Sequence, residues 1–230
     1  KILIYGAGVI GCLYAVLFSK AGYDTTVCAR GNRLKSFQVN GLLHESNEEI
    51  QKADVKIIGT LKEDDIYNFI FVAVKEHQLH TALKELFFNK SPNIVTMVNS
   101  LEPYSEWEKL CGKGRLIPAF PGAGGSIENG VLKAALTPWI IQPTTFAEMD
   151  GSKSERLSKL IAIFRKSKIP FKTVKDMHSW QLCHLAMVIP IADAYYKAAH
   201  PENVWNEKAV MLDTAQQMKT NFINHCATMV

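Results

Sequence analysis

No apolar run in this sequence approaches the roughly 20 residues needed to cross a bilayer, so no membrane-spanning helix is expected. Charge of one sign is not concentrated anywhere. The 26 Lys and Arg stand against 22 Asp and Glu, for a formal net charge of +4 over 230 residues. Nucleic acids and anionic membranes select clustered basic residues, so neither partner is expected. Low-complexity tracts are missing too, and with 47% hydrophobic and 21% charged residues the composition excludes disorder. Cysteine is sparse. The five thiols (Cys12, Cys28, Cys111, Cys183 and Cys226) are odd in number, scattered and without a C-x-x-C pair. That excludes a disulfide framework and a zinc site, and leaves Cys12 and Cys28 as expected core thiols. Residues 1–11 are too short and too rich in glycine for a signal peptide, so a cytoplasmic setting is expected. The chain starts without methionine, and residues 227–230 follow a helical pattern with no stop signal. A fragment of a longer protein is therefore the expectation.

What is present is a regular alternation. Residues 1–5 (KILIY), 68–74 (NFIFVAV) and 93–98 (NIVTMV) read as buried strands, and 25–29 (TTVCA) and 115–120 as further strands. Residues 12–20, 76–88, 104–110 and 154–166 have helical spacing. Residues 42–60 and 131–142 each predict one or two further strands, 170–174 predicts a terminal strand, and residues 121–125 predict a turn-rich loop. Beyond Asp176 the pattern becomes helical, over 179–199 and 209–226. The expected architecture is α/β, a Rossmann-type doubly wound sheet over residues 1–174. A mostly helical second domain, itself incomplete, is expected over 175–230.

The first strand runs into Gly6-Ala7-Gly8-Val9-Ile10-Gly11, then a helix, then a second strand within about 30 residues. In a dinucleotide site of this kind Gly6 permits the tight turn and Gly8 lets the backbone approach the pyrophosphate. Gly11 lets the helix pack closely on the strand. The helix start at Val9 and Ile10 offers free N–H groups and a positive dipole end to phosphate. A glycine turn without a ligand is the competing reading. At the end of the second strand an NAD site usually places a carboxylate, whereas Ala29-Arg30-Gly31-Asn32-Arg33 has none. Arg30 and Arg33 suit a 2′-phosphate, so the expected cofactor is NADP(H). Two solvated arginines in a surface loop remain the alternative.

These residues, with Cys28-Ala29-Arg30-Gly31 and Arg33-Leu34, resemble the start of a ketopantoate reductase (2-dehydropantoate 2-reductase). Three further features are similar to that family. Ala73-Val74-Lys75 with Gln78 resembles its strand-end lysine segment near the nicotinamide. Asn99 matches an asparagine that contacts cofactor and substrate, and Trp180 matches the tryptophan that opens the helical domain. The resemblance implies an NADPH-dependent oxidoreductase acting on a 2-oxo acid or similar small carbonyl compound. It also implies cofactor contacts from Val74, Lys75 and Asn99. The departures concern chemistry. Ser100 replaces the glycine after the asparagine. Leu182 stands where the family has its proton-donating lysine, two positions beyond the tryptophan, and the asparagines of that helix face are missing before Pro190.

His184, next on that segment, is a candidate proton donor, with an interface histidine as the competing view. Lys75 is the second catalytic candidate, against a solvated lysine at a strand end. Gly124, in the glycine-rich loop, is a candidate for close approach to the nicotinamide, against a plain turn. His77 and His80 have no third ligand and read as surface histidines; His44, His178, His200 and His225 form no ligand spacing. Glu63, Asp64 and Asp65 read as a solvated turn. No metal is expected. A catalytically inactive dinucleotide-binding or sensing protein, and a dehydrogenase of the opine or hydroxyacid type, remain alternative readings. Helical surface after Asp176 is expected to be able to pair two copies in a homodimer.

Overall fold

A computed structural model describes residues 1–226. The missing stop signal at residues 227–230 lies outside the described residues, as do the side chains of His225 and Cys226. Contacts divide the chain into two compact units, Lys1–Met177 and His178–Val230.

The first unit runs β1 (Ile2–Tyr5), α1 (Val9–Lys20), β2 (Thr25–Cys28), α2 (Gly31–Asn40), β3 (Leu43–Ser46), β4 (Glu49–Lys52), β5 (Lys56–Ile58) and β6 (Phe69–Val72). It continues with α3 (Glu76–Phe88), β7 (Ile94–Met97), α4 (Tyr104–Cys111), β8 (Leu116–Phe120), β9 (Ala123–Glu128), β10 (Val131–Leu136), β11 (Thr144–Phe146), α5 (Glu155–Lys166) and β12 (Phe171–Thr173). Eight strands form the main sheet in the order β12-β11-β8-β7-β6-β1-β2-β5. Its strands from β8 to β5 are parallel, and β11 joins antiparallel to β8. The chain order reverses on either side of β1 and β6, as a doubly wound sheet requires.

Alternation along each strand assigns two faces. Ile2, Ile4, Phe69, Phe71, Val95 and Ile117 join α1 and α5 in one core. Phe18 of α1 lies 4.9 Å from Phe71 and 6.1 Å from Phe164 of α5, between ring centroids. Phe18 and Phe164 are fully buried; truncating either to alanine should cost about 3–5 kcal/mol. The intervening residues, Leu3, Tyr5, Ile70 and Val72, turn to the other face, where Leu79, Leu83 and Leu86 of α3 are buried. A second sheet, β4-β3-β10-β9, packs its β9 and β10 on α1.

Three local expectations are corrected. Residues 31–40 form α2, so Arg33 lies on a helix and not in a loop. This helix buries only Phe37, which leaves too faint an apolar stripe to read from sequence. Residues 42–60 hold three strands rather than one or two. The glycine-rich residues 123–125 open strand β9, which pairs with β10 from Glu128↔Val131 to Ala123↔Leu136. Gly125 allows that approach, since a Cβ there would lie 2.3 Å from the Lys133 carbonyl oxygen.

In the second unit, α6 (Met177–Lys197) continues through Pro190. A short 3-10 helix (Pro201–Asn206) and α7 (Lys208–Cys226) follow. The two long helices run antiparallel, bridged by Lys197–Asp213 at 2.8 Å and by Gln217 donating to Asp193 at 3.1 Å. The loop is closed by Glu207, which accepts from the backbone N–H groups of Ala199 and His200. Among the described residues no helix is long and apolar enough to cross a membrane.

Candidate dinucleotide site

Four neighbouring parallel strands end on the same edge of the main sheet. β1 leads into Gly6, β2 towards Arg30, β6 into Ala73-Val74-Lys75, and β7 stops two residues before Asn99. A cleft of about 760 Å³ opens along this edge. Gly6, Gly8, Val9, Ile10, Arg30, Arg33, Val74 and Lys75 of the sequence-predicted set all line it.

The glycine turn is held by backbone bonds to both neighbouring strands. The Gly6 N–H donates to the Cys28 carbonyl at 3.2 Å, and the Ala73 N–H to the Tyr5 carbonyl at 2.9 Å. Gly6 has φ +116° and its missing Cβ would sit 2.4 Å from the Ala73 carbonyl oxygen, so no other residue fits without strain. Gly11 lies where a Cβ would come within 2.0 Å of the Gly6 carbonyl oxygen, which is why α1 can seat so tightly on β1. Gly8 differs. A Cβ there would meet nothing within 4 Å, so its bare face is open space beside the start of α1. The first bond of α1 runs from the Cys12 N–H to the Gly8 carbonyl, leaving the N–H groups of Val9, Ile10 and Gly11 without acceptors inside the helix. Bare backbone, unspent N–H groups and a positive helix end fit a dinucleotide's phosphates.

Arg33 stands against this turn. Its Nε donates to the Ala7 carbonyl at 3.2 Å, Nη2 lies 3.7 Å from Cys12 Sγ, and the guanidinium rests 4.5 Å over the Phe37 ring. Arg30 precedes α2 at the end of β2, and its guanidinium is engaged. It pairs with the Glu85 carboxylate, including Nη1 to Oε1 at 3.1 Å, and donates to the Tyr5 hydroxyl, which also donates to Glu85. The pair raises the Arg30 pKa and lowers that of Glu85. Burial and the bond to Glu85 push the Tyr5 phenol up.

Lys75 is exposed and precedes α3, with its own N–H donating to the Gln78 side-chain oxygen at 3.3 Å. Asn99 is exposed just beyond β7 and is not among the residues lining the cleft. Gly124 sits on β9 opposite Ala135, also outside that lining. His77 lines the cleft, while His80 bonds Glu102 at 2.7 Å. Tyr5, Thr81 and Ala82 line it without having been singled out from sequence. Their signal was available only as positions one strand end or one helical turn away from the motif residues. In the helical unit, His184 stacks on Trp180 with centroids 5.0 Å apart and planes 8° from parallel. Burial lowers its pKa below the usual histidine value. Cys12, Cys28 and Cys111 are buried free thiols. Among the described residues no group of His, Cys, Asp and Glu is placed to hold a metal ion.

A glycine turn between buried parallel strands, feeding a helix whose start opens on a cleft, defines a Rossmann-type dinucleotide-binding fold. Residues 2–135 match the family model described as "Ketopantoate reductase PanE/ApbA". The chain belongs to the ketopantoate reductase family. It is 31% identical over 137 residues to the 2-dehydropantoate 2-reductase of Mesorhizobium japonicum, covering 58% of this chain and 38% of that protein. It is 29% identical over 182 residues to the 2-dehydropantoate 2-reductase of Archaeoglobus fulgidus, covering 77% of this chain and 57% of that one. The chain thus spans less than two thirds of the length of either relative. In fold it matches D-mandelate dehydrogenase, solved as a ternary structure with NADH and anilino(oxo)acetate, with a TM-score of 0.70. That match has 15% identity and covers 96% of this chain and 78% of that one.

Proposed function

We propose that this chain is an NADPH-dependent reductase of a 2-oxo acid or related small carbonyl compound, acting on CH–OH/C=O pairs as 2-dehydropantoate 2-reductases do. The observation that carries the reading is the convergence of Gly6, Gly8 and the start of α1 with Arg30 and Arg33 on one cleft. Residues 1–174 form the NADP-binding domain in this reading, and 175–230 belong to the substrate and dimerisation domain. The N–H groups at the start of α1 hold the pyrophosphate, Arg30 and Arg33 the 2′-phosphate. Val74, Lys75, Asn99 and Gly124 border the nicotinamide end. A bound nicotinamide supplies the electron pair and hydrogen for the carbonyl carbon. The chain must deliver a proton to the carbonyl oxygen, and His184, or else Lys75, is the side chain assigned to that task. A cytoplasmic location and a homodimer belong to the same proposal.

A second reading has a specific observation in its favour. Leu182, on α6, cannot donate a proton from the position the family gives to lysine, which suits a protein that binds the dinucleotide without turning it over. One experiment separates the two. The protein is incubated with NADPH and a panel of 2-oxo acids, ketopantoate included, and nicotinamide absorbance is followed. Oxidation of NADPH with at least one acid supports the reductase; saturable NADPH binding without turnover on any of them supports the binding protein.

A further inference from the structure

The residue at the end of β2 is where sites of this fold distinguish their two cofactors, and the chain itself has no carboxylate there. The fold brings one in from elsewhere. Glu85, on the third turn of α3, reaches the Arg30 guanidinium with both oxygens, and the Tyr5 hydroxyl at the end of β1 ties the two together. Tyr5 and Arg30 line the cleft, as do Gln78, Thr81 and Ala82 from the preceding turns of α3, and Glu85 is bonded to the first two. Arg30 and Glu85 keep 54% and 44% of their side-chain surface exposed, so the pair is not sealed from solvent beside the cleft.

We infer that Glu85 is a specificity-determining residue that narrows the discrimination between NADPH and NADH. The inference rests on the reading of the cleft as a dinucleotide site. Two effects act in the same direction. Glu85 occupies guanidinium N–H groups that a 2′-phosphate would use, so a phosphate must share Arg30 or displace the carboxylate. A dianionic phosphate also meets the carboxylate's own charge at close range, a repulsive element of the kind that sets specificity. A ribose 2′-hydroxyl meets neither penalty and can donate to the carboxylate. Glu85 therefore does, from α3, part of what a carboxylate at the end of β2 does in NAD sites. Tyr5 holds the pair in register by donating to Glu85 while accepting from Arg30.

The test is a titration of the full chain and of Glu85→Gln with NADPH and with NADH, following nicotinamide fluorescence at low ionic strength. Glutamine keeps the size and hydrogen bonding of the side chain and removes its charge, and a melting curve checks that the variant folds as the parent does. The ratio of the NADH to the NADPH dissociation constant should rise about tenfold, mostly through tighter NADPH binding. Raising the salt concentration should shrink that gain. An unchanged ratio would overturn the inference while leaving the dinucleotide reading intact. A fall in the ratio would also overturn it, because Glu85 would then be orienting Arg30 for phosphate. A parent protein that prefers NADH would refute the NADPH assignment, yet the shift in ratio would still report on Glu85. Failure of both proteins to bind either dinucleotide would overturn both.

Discussion

In the first unit, the groups that would meet a ligand are mostly backbone. The turn at Gly6, the bare face of Gly8 and the N–H groups of α1 exist because of how β1, β2 and β6 are bonded to one another. In the helical unit the groups proposed for proton transfer are side chains on one helix, α6, and leucine and lysine have similar helix propensity at a position such as Leu182. A site made of backbone is lost by disturbing the fold that builds it or by a Cβ that fills its open face. A site made of side chains can be emptied by a single substitution that the helix does not register. The family match over residues 2–135 falls within the first kind.

The largest effects should come from the glycine turn, and they divide by geometry. Gly11→Ala puts a Cβ 2.0 Å from the Gly6 carbonyl oxygen. It should cost about 2–3 kcal/mol of stability and at least about 100-fold in NADPH affinity, read by thermal melting and fluorescence titration. Gly8→Ala adds a Cβ into open space. It should melt like the parent and still lose NADPH binding. Equal melting of the two variants would break the contrast.

The helical unit is tested by His184→Gln. If His184 donates the proton, kcat should fall about 100-fold with little change in NADPH affinity. Burial lowers the His184 pKa from 6.5, so the protonated form is lost as pH rises through a value below 6.5. The parent should therefore slow as pH rises through that value, and the variant should lack this limb of the pH–rate profile.

Scaffold stability can be separated from binding at Glu148, which is 4% exposed and takes hydrogen bonds from Ser154 and Arg156. Burial raises its carboxyl pKa, but the bonds from Arg156 and Ser154 outweigh burial and hold it below 4.5. A depressed carboxylate stabilises above its unfolded value, and the contribution is lost as pH falls through the folded one. Glu148→Gln should cost about 2 kcal/mol at neutral pH, and less as pH drops below 4.5, with NADPH affinity unchanged. The smallest effect belongs to Arg33→Lys. It keeps the charge but loses the planar fork at the Ala7 carbonyl, and should weaken NADPH about threefold.

How much of this could be read from sequence follows from the same contrast. The strands β1 and β6 are continuous apolar runs, and the helix from Glu76 to Phe88 buries Leu79, Leu83 and Leu86 at helical spacing. Both patterns are local, and both survive into the structure. The glycine motif was readable because its spacing and its flanking strand and helix are all local in sequence. α2 was missed because one buried residue, Phe37, leaves no stripe. β9 was read as a loop because its glycines mark close backbone approach as readily as a turn, and only pairing with β10 decides between them. Glu85 could not have been found at all. It lies 55 residues from Arg30, and nothing near either residue in sequence announces the pairing.

The cleft at the ends of β1, β2 and β6 is proposed as an NADPH site. Its most direct test is a titration of the protein with NADPH and NADH, followed by nicotinamide fluorescence, with Arg30→Ala measured in parallel. Saturable binding of both is expected, tighter for NADPH, with the preference reduced in Arg30→Ala. Absence of binding to either dinucleotide would contradict it.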